Sequence, residues 1–243
     1  VYPPLMPAKM RQTGVYRNGD EHMIAIIMAV YNGETYLNEQ IDSLLSNTEK
    51  DFVLHIFDDG STDRSAAVIQ SYTDKYPSKI FYHRNVTNQG VIHNFLNGCL
   101  QVDADYYMFC DQDDVWHGDK IQVLLGKIKE LEAEYGDDHP ILVHSDLEVT
   151  DQNLNIINPS LFAHNGTNPY RNTLAQLLVE NPVTGGAVIL NGPLAAYFQT
   201  PPKCCFMHDW WMALTAACFG TIGFVPQALY QYRQHGDNSL GAG

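Results

Sequence analysis

The stretch YYMFCDQDDVW, Tyr106 to Trp116, runs an apolar, aromatic segment into three carboxylates, Asp111, Asp113 and Asp114. YYMFC has the length and composition of a buried strand. Ionised carboxylates at the end of such a strand cost several kcal/mol unless a cation or hydrogen-bond donors compensate them. The cluster therefore calls for something positive, and a hard divalent metal is the leading candidate.

Outward from this strand the chain alternates. MIAIIMAVY, from Met23, is an apolar strand, and after NGE a helix carries Leu37, Ile41, Leu44 and Leu45 on one face. FVLHIF, 52–57, is a second strand ending at Asp58-Asp59-Gly60, with Ser61 or Thr62 placed to cap a helix that reaches about Tyr76. KIFYHR is a third strand, and VIHNFLNGCLQV, 91–102, a helix. Past the acidic stretch, DKIQVLLGKIKELEAEY repeats apolar residues at Ile121, Leu124, Leu125, Ile128 and Leu131. The second half is less regular: ILVHSDLEV reads as a strand, RNTLAQLLVEN as a helix, GGAVIL as a strand and HDWWMALTAACFG as a helix. Such alternation predicts an α/β fold with a mainly parallel, Rossmann-like sheet and helices on both faces. In open sheets of this kind ligands gather at the carboxyl ends of the strands, where Tyr31-Asn32-Gly33, Asp58-Asp59-Gly60-Ser61 and Asp111-Gln112-Asp113-Asp114 would meet at one edge.

Composition narrows the partners. The 243 residues carry 14 Lys and Arg against 28 Asp and Glu, a formal charge of −14, which repels the nucleic-acid backbone and anionic headgroups over most of the surface. Nucleic acid is excluded as a partner, whereas a small nucleotide is not, because a metal held by local acids bridges to its phosphates. Five cysteines without a C-x-x-C pair indicate neither a zinc site nor a disulfide framework, and fit a reducing cytoplasm. WWMALTAACFGTIGFV, 210–225, is short of the ~20 residues of a membrane span and reads as a buried helix passing into a strand. Residues 1–22 read as an added leader or a native arm with no secretory signal, and SLGAG at the other end carries no helix signal.

The order AVYNGE, FDDGSTD, CDQDDVW, HDWW resembles glycosyltransferase family 2, whose members have the GT-A fold, and the resemblance runs from about Met23 to Leu240. It implies transfer of a sugar from a nucleotide diphosphate donor with inversion at the anomeric carbon. It implies a nucleotide-sugar-binding half over 23–149 and an acceptor-binding half over 150–243 of one domain. By the same resemblance Ala29, Tyr31 and Asn32 line the nucleotide, and Asp58 or Asp59 accepts a hydrogen bond from the base or ribose. The plainer reading of Asp-Asp-Gly-Ser is a tight turn that caps the next helix. Asn88, Gly90 and Asn94 in TNQGVIHNF are donor candidates, or simply a turn and a helix start. Asp111-Gln112-Asp113 stands at the family's DxD position, where two carboxylates share Mg²⁺ or Mn²⁺ and the metal neutralises the departing diphosphate. Asp114 would orient its neighbours or a sugar hydroxyl.

The segment YQYRQHGDNSLG resembles the end of the family's catalytic region, which makes His235 a metal or diphosphate ligand and Arg233 a phosphate contact; a surface histidine is the plainer alternative. HDWWMALTAACFGTI resembles the rhamnosyltransferase-like branch. That likeness implies dTDP-L-rhamnose as the leading donor, with UDP-sugars open, and a lipid-linked or cell-wall glycan as acceptor. Asp209 is the expected base, lying early in a helix whose N-terminus favours its ionised form. Thr184, Gly185, Gly186, His208, Trp210 and Trp211 are the expected acceptor side. The missing Q-x-x-R-W ending of processive synthases points to one sugar per encounter. The expected location is the cytoplasm, at the inner face of the membrane for a lipid-linked acceptor. The rival from another class is a catalytically idle sugar-nucleotide-binding or scaffold domain; a phosphatase with paired aspartates would need them after the first strand, which here ends in Tyr-Asn-Gly.

Overall fold

A computed structural model describes residues 22–199 and 205–236. The leader up to residue 21, Cys204 and the SLGAG end lie outside the described residues.

Strand β1 (Ile24–Val30) is buried along nearly its whole length because it is paired on both sides. It lies parallel to β2 (Phe52–Asp58) and to β4 (Tyr106–Cys110), and β3 (Ile80–Arg84) extends the parallel set beyond β2. The crossovers are α1 (Leu37–Ser46), α2 (Ser65–Lys75) and α3 (Val91–Gln101). Because β2 and β4 flank β1, the strand order reverses there, and the crevice above that reversal is where such sheets take ligands.

Beyond β4 the chain adds β5 (Val115–Trp116), α4 (Lys120–Tyr135), β6 (Ile141–Thr150), β7 (Ile156–Asn158), α5 (Leu161–Asn165), α6 (Leu174–Leu177), β8 (Val188–Asn191), α7 (Gly192–Ala195), α8 (His208–Phe219) and β9 (Thr221–Arg233). The sheet order is β3-β2-β1-β4-β8-β6-β9-β5, with β7 beside β6. β8 runs antiparallel to β4 and β6, while β6 and β9 are parallel. The half bearing the acidic turns is wholly parallel and the remainder mixed. A division near Val149 falls in the last residues of β6, and the sheet continues across it.

Helices cover both faces. Leu37, Ile41 and Leu44 of α1, Ile69 of α2 and Leu124 and Ile128 of α4 fill one core. Phe95 and Leu96 of α3, Leu194 of α7 and Met212 and Ala216 of α8 fill the other. No described helix is long and apolar enough to cross a membrane.

Local expectations fail in three places. RNTLAQLLVEN supplies only the short α6, since Leu178 and Val179 are 66% and 79% exposed and give a longer helix no face to bury. In GGAVIL the first three residues form a 3-10 turn, Gly185–Ala187, before β8 begins. Neither Ser61 nor Thr62 caps α2. That helix starts at Ser65, Ser61 Oγ accepts from Asn32 N (3.0 Å), and Asp63 accepts from Ser65 N (2.9 Å). β9 is the longest strand and contains Pro226. It tolerates the proline at a bulge, where the β6 register jumps from Val225 to Ala228 and leaves 226 and 227 unpaired.

Candidate active site

Three loops leave the carboxyl ends of β1, β2 and β4 and are tied to one another. Gln112 clasps the end of β1: its Oε1 accepts from Tyr31 N (2.8 Å) and its Nε2 donates to Tyr31 O (3.1 Å). Asn32, held at φ 50°, accepts from Thr62 N (2.8 Å). Gly33 N donates to Ser65 Oγ, and a Cβ at Gly33 would sit 2.3 Å from Gln112 Oε1, so a larger residue there would displace the Gln112 clasp. The convergence expected from the strand pattern is present. Tyr31 stands 47% exposed beside it, and Ala29 is partly buried in β1.

Asp58 and Asp59 are fully engaged by the protein. Asp58 accepts from Ser61 N and Tyr82 Oη and faces Arg84 Nε at 3.6 Å. Asp59 accepts from Asn85 Nδ2, Gln89 N and Gly90 N. Both carboxylates are buried, at 0% and 2% exposure, and they fix the turns after β2 and β3. Asn94 is likewise buried and donates to Phe57 O (2.8 Å), which pins α3 to β2. Asn88 and Gly90 are exposed, with Gly90 at φ 84° before α3.

The acid cluster is organised differently. Asp111 follows β4 partly exposed, and its carboxylate accepts no hydrogen bond among the described residues. Burial raises its pKa above the ordinary carboxylate value, and the charges of Asp113 and Asp209 raise it further. Asp113 Oδ2 meets His235 Nε2 at 2.9 Å. Asp114 is wholly buried. It accepts from Arg233 N (3.1 Å) at one oxygen while the other has no partner, and desolvation pushes its pKa well up. A sugar hydroxyl cannot reach Asp114 in this arrangement, which corrects that expectation.

Arg233 is also corrected. It donates to Asp113 O (2.7 Å), Gln152 O (2.8 Å) and Glu39 Oε2 (2.5 Å), and its guanidinium lies 4.3 Å from the Tyr36 ring centroid. With 2% exposure it clamps the end of β9 to the acid turn rather than meeting a phosphate. His235 packs tilted on Tyr36 at 4.9 Å, buried beside Asp113.

The elements expected on the acceptor side arrive at the same edge because β8 runs antiparallel to β4, bringing the Gly185–Ala187 turn beside Asp111. Asp209, in the first turn of α8, accepts from Gly185 N (3.0 Å) and Asn181 Nδ2 (3.3 Å). Burial raises its pKa to about 6, against the lowering by the backbone N–H groups of Gly185 and Trp210. Desolvation therefore outweighs the helix N-terminus, contrary to the expectation from position alone. His208 is buried beneath Gly185, stacked on Phe95 at 4.3 Å, with both ring nitrogens unpartnered and its pKa driven down to about 3 by burial. It supports the turn from within the core, at 3% exposure. Trp210 donates to Leu177 O (2.6 Å), and Trp211 packs in the second core, so their rings serve α6 and α8 packing. Thr184 stands partly exposed ahead of the turn.

Lys120 was not anticipated. It is 0% exposed, lies 3.6 Å from the Trp116 ring centroid and 3.9 Å from that of Tyr230, and donates to Gly186 O. Its signal was available: residues 120, 124 and 128 share the buried stripe of α4, and a lysine on an apolar stripe needs a partner.

The donor set would suit Mg²⁺ or Mn²⁺, with oxygen ligands from Asp111, which meets no donor among the described residues, and from Asp113. No three metal-binding side chains among the described residues form a ready cluster. Such a set matches a cation whose remaining ligands are substrate phosphates and water.

The profile of Glycosyl transferase family 2 matches residues 25–185. The chain belongs to glycosyltransferase family 2. Among its relatives, an uncharacterized glycosyltransferase of Haemophilus influenzae is 40% identical over 101 residues, covering 41% of this chain and 40% of that protein. The dTDP-rhamnosyl transferase RfbG of Shigella flexneri is 37% identical over 99 residues, covering 39% of this chain and 34% of its own. An uncharacterized glycosyltransferase of Nostoc is 28% identical over 223 residues, 89% of this chain and 66% of that one. The chain thus spans well under half the length of the first two. Among solved structures, S. aureus TarS 1–349 in complex with UDP superposes with a TM-score of 0.66 at 18% identity, covering 87% of this chain and 60% of that one. The mannosyltransferase PcManGT from Pyrobaculum calidifontis in complex with GDP-Man and Mn²⁺ gives 0.60 at 13% identity, covering 86% and 56%. These likenesses show the GT-A fold.

Proposed function

We propose that this family 2 domain is a metal-dependent inverting glycosyltransferase. It moves one sugar per encounter from a nucleotide diphosphate donor to a glycan or lipid-linked acceptor in cell-surface polysaccharide synthesis, at the cytoplasmic face of the membrane. The observation that carries this reading is the pair formed by Asp111, whose carboxylate at the end of β4 accepts no hydrogen bond among the described residues, and Asp209, a half-buried carboxylate held by the Gly185 N–H, whose charge helps to raise the Asp111 pKa.

Asp111 and Asp113 would hold the divalent cation, which supplies charge neutralisation for the departing diphosphate. Tyr31 and Asn32 flank the nucleotide, and Asp59 reaches base or ribose only by exchanging the Gln89 and Gly90 N–H groups it now accepts. On the acceptor side Asp209 takes the hydroxyl proton. The acceptor oxygen then bonds to the anomeric carbon as that carbon's bond to the diphosphate oxygen breaks, from opposite faces, which inverts the centre. dTDP-L-rhamnose is the leading donor, supported by the likeness to the dTDP-rhamnosyl transferase RfbG of Shigella flexneri, with UDP-sugars second.

The test is incubation with dTDP-rhamnose and UDP-sugars, with Mn²⁺ or with chelator, following nucleotide diphosphate release and the product's anomeric configuration by NMR. Metal-dependent release with inversion is expected. Tight binding of a nucleotide sugar with no turnover on any acceptor or water would favour an idle binding domain instead.

A further inference from the structure

We propose that Lys120 is a positioning residue for the acceptor-side base: by tying Gly186 O to α4, it holds the turn that presents the Gly185 N–H to Asp209. The inference rests on the reading of Asp209 as the base.

Among the described residues, the side chains that hydrogen-bond the Gly185–Gly186 turn are Asp209, at Gly185 N, and Lys120, at Gly186 O. His208 lies directly beneath, where a Cβ on Gly185 would meet its Nε2 at 2.5 Å, yet it offers no hydrogen bond. On the other side a Cβ at Gly186 would stand 2.9 Å from Tyr230 Oη and 3.5 Å from Asp111 Oδ2. The turn is thus wedged between two rings and fastened at two points, one of them Lys120.

A buried ammonium is a costly way to fill space. Its desolvation penalty exceeds that of an apolar residue of similar volume, and one carbonyl satisfies only one of three N–H donors. The Trp116 and Tyr230 rings supply part of the compensation, and Cys110, Asp111 and Asp114 are the titratable groups that face it. Burial pulls the lysine's pKa down to about 7. A methionine would pack more stably, so the lysine is best explained by what it holds. It joins α4 and the acid turn, on the donor side, to the 3-10 turn, on the acceptor side.

The tie predicts a signature that packing alone does not. The Gly185 N–H lowers the pKa of Asp209, while burial raises it. The other groups facing Asp209 are Asp111, after β4, and Cys205 and Asn181. Loosening the turn removes the lowering contribution and leaves those in place, so the acid limb of the rate profile moves to higher pH.

The experiment compares Lys120→Met and Lys120→Gln with the unaltered chain, with kcat normalised to molecules that bind nucleotide diphosphate with Mn²⁺ by calorimetry. Met is expected to lower kcat about 10-fold to 100-fold, as a misplaced base does. It should shift the acid limb upward, with a smaller effect on nucleotide affinity than on kcat. Gln keeps a donor on a shorter stem and should show the same two changes, reduced in size; it carries the test if Met does not fold. Unchanged kcat and acid limb per binding-competent molecule would overturn the role of Lys120. If in addition Asp209→Asn were fully active, the assignment of the base itself would have failed, a separable result.

Discussion

Asp209→Asn keeps the shape of the side chain and removes its charge, so activity and stability should move in opposite directions. Loss of one general base lowers kcat by about 10²–10⁴-fold. In the unaltered enzyme kcat should climb about tenfold per pH unit up to the Asp209 pKa of about 6 and then level off, and the variant should lack that limb. For stability, burial raises Asp209 from 3.8 to about 6, so the folded state holds its proton more tightly than the unfolded chain does. The native state is therefore favoured by this group below pH 4, and that advantage is lost as pH rises toward 6. About two units of pKa correspond to roughly 3 kcal/mol of strain when the carboxylate is ionised. Asn gives back about 1 kcal/mol, since its NH₂ must face either the Gly185 N–H or the Asn181 Nδ2 that the carboxylate accepted. The variant should then be about 2 kcal/mol more stable at pH 7.5, with the difference vanishing near pH 4.5 and reversing slightly at pH 4, where the carboxyl is largely protonated in the folded state. Calorimetric melting at the two pH values, beside kcat, checks both. A variant that melts early at pH 7.5 and keeps its specific activity would show that Asp209 is a helix cap and that the base lies elsewhere.

Arg233→Met should cost about 3 kcal/mol in denaturant unfolding, because Asp113 O, Gln152 O and Glu39 lose one shared donor group, yet leave donor KM unchanged per folded molecule. A phosphate-binding arginine would give the reverse pattern. Gly186→Ala drives a methyl to within 2.9 Å of Tyr230 Oη and should destabilise by about 1–3 kcal/mol. Tyr230→Phe in the same chain should restore part of that, since the ring carbon at 3.2 Å remains, and no restoration would place the clash elsewhere.

How much of this was legible in the chain follows from the reach of each signal. Strands β1, β2 and β4 announce themselves because strands buried on both faces must be continuously apolar, and their acidic ends then stand out. The convergence of Tyr31, Ser61 and Gln112 follows from parallel pairing alone. The start of β9 was read at the end of WWMALTAACFGTIGFV, but its continuation was hidden by Pro226, whose cost is absorbed by a bulge that no local pattern records. RNTLAQLLVEN carries helix-forming residues, but whether its leucines find a face to bury is decided by α8, many residues away. Functional type was harder still. The resemblance made Asp58, Asp59, Asn94 and Arg233 ligand candidates, with a plain turn as the other reading of the first three, and the structure employs each of them between elements. Partnership of that kind is a tertiary property. Lys120 shows the converse, since its position on the apolar stripe of α4 was visible and the carbonyl it serves was not.

Asp111, whose carboxylate accepts no hydrogen bond among the described residues, would complete its coordination through a divalent cation and a nucleotide diphosphate. Calorimetric titration of dTDP and UDP with and without Mn²⁺, into the unaltered chain and into Asp111→Asn, tests it most directly. The account predicts that Mn²⁺ strengthens binding to the unaltered chain by about tenfold or more, at least about 1.4 kcal/mol, and leaves the Asn variant's affinity unmoved. Equal affinity with and without Mn²⁺ in both proteins would contradict it.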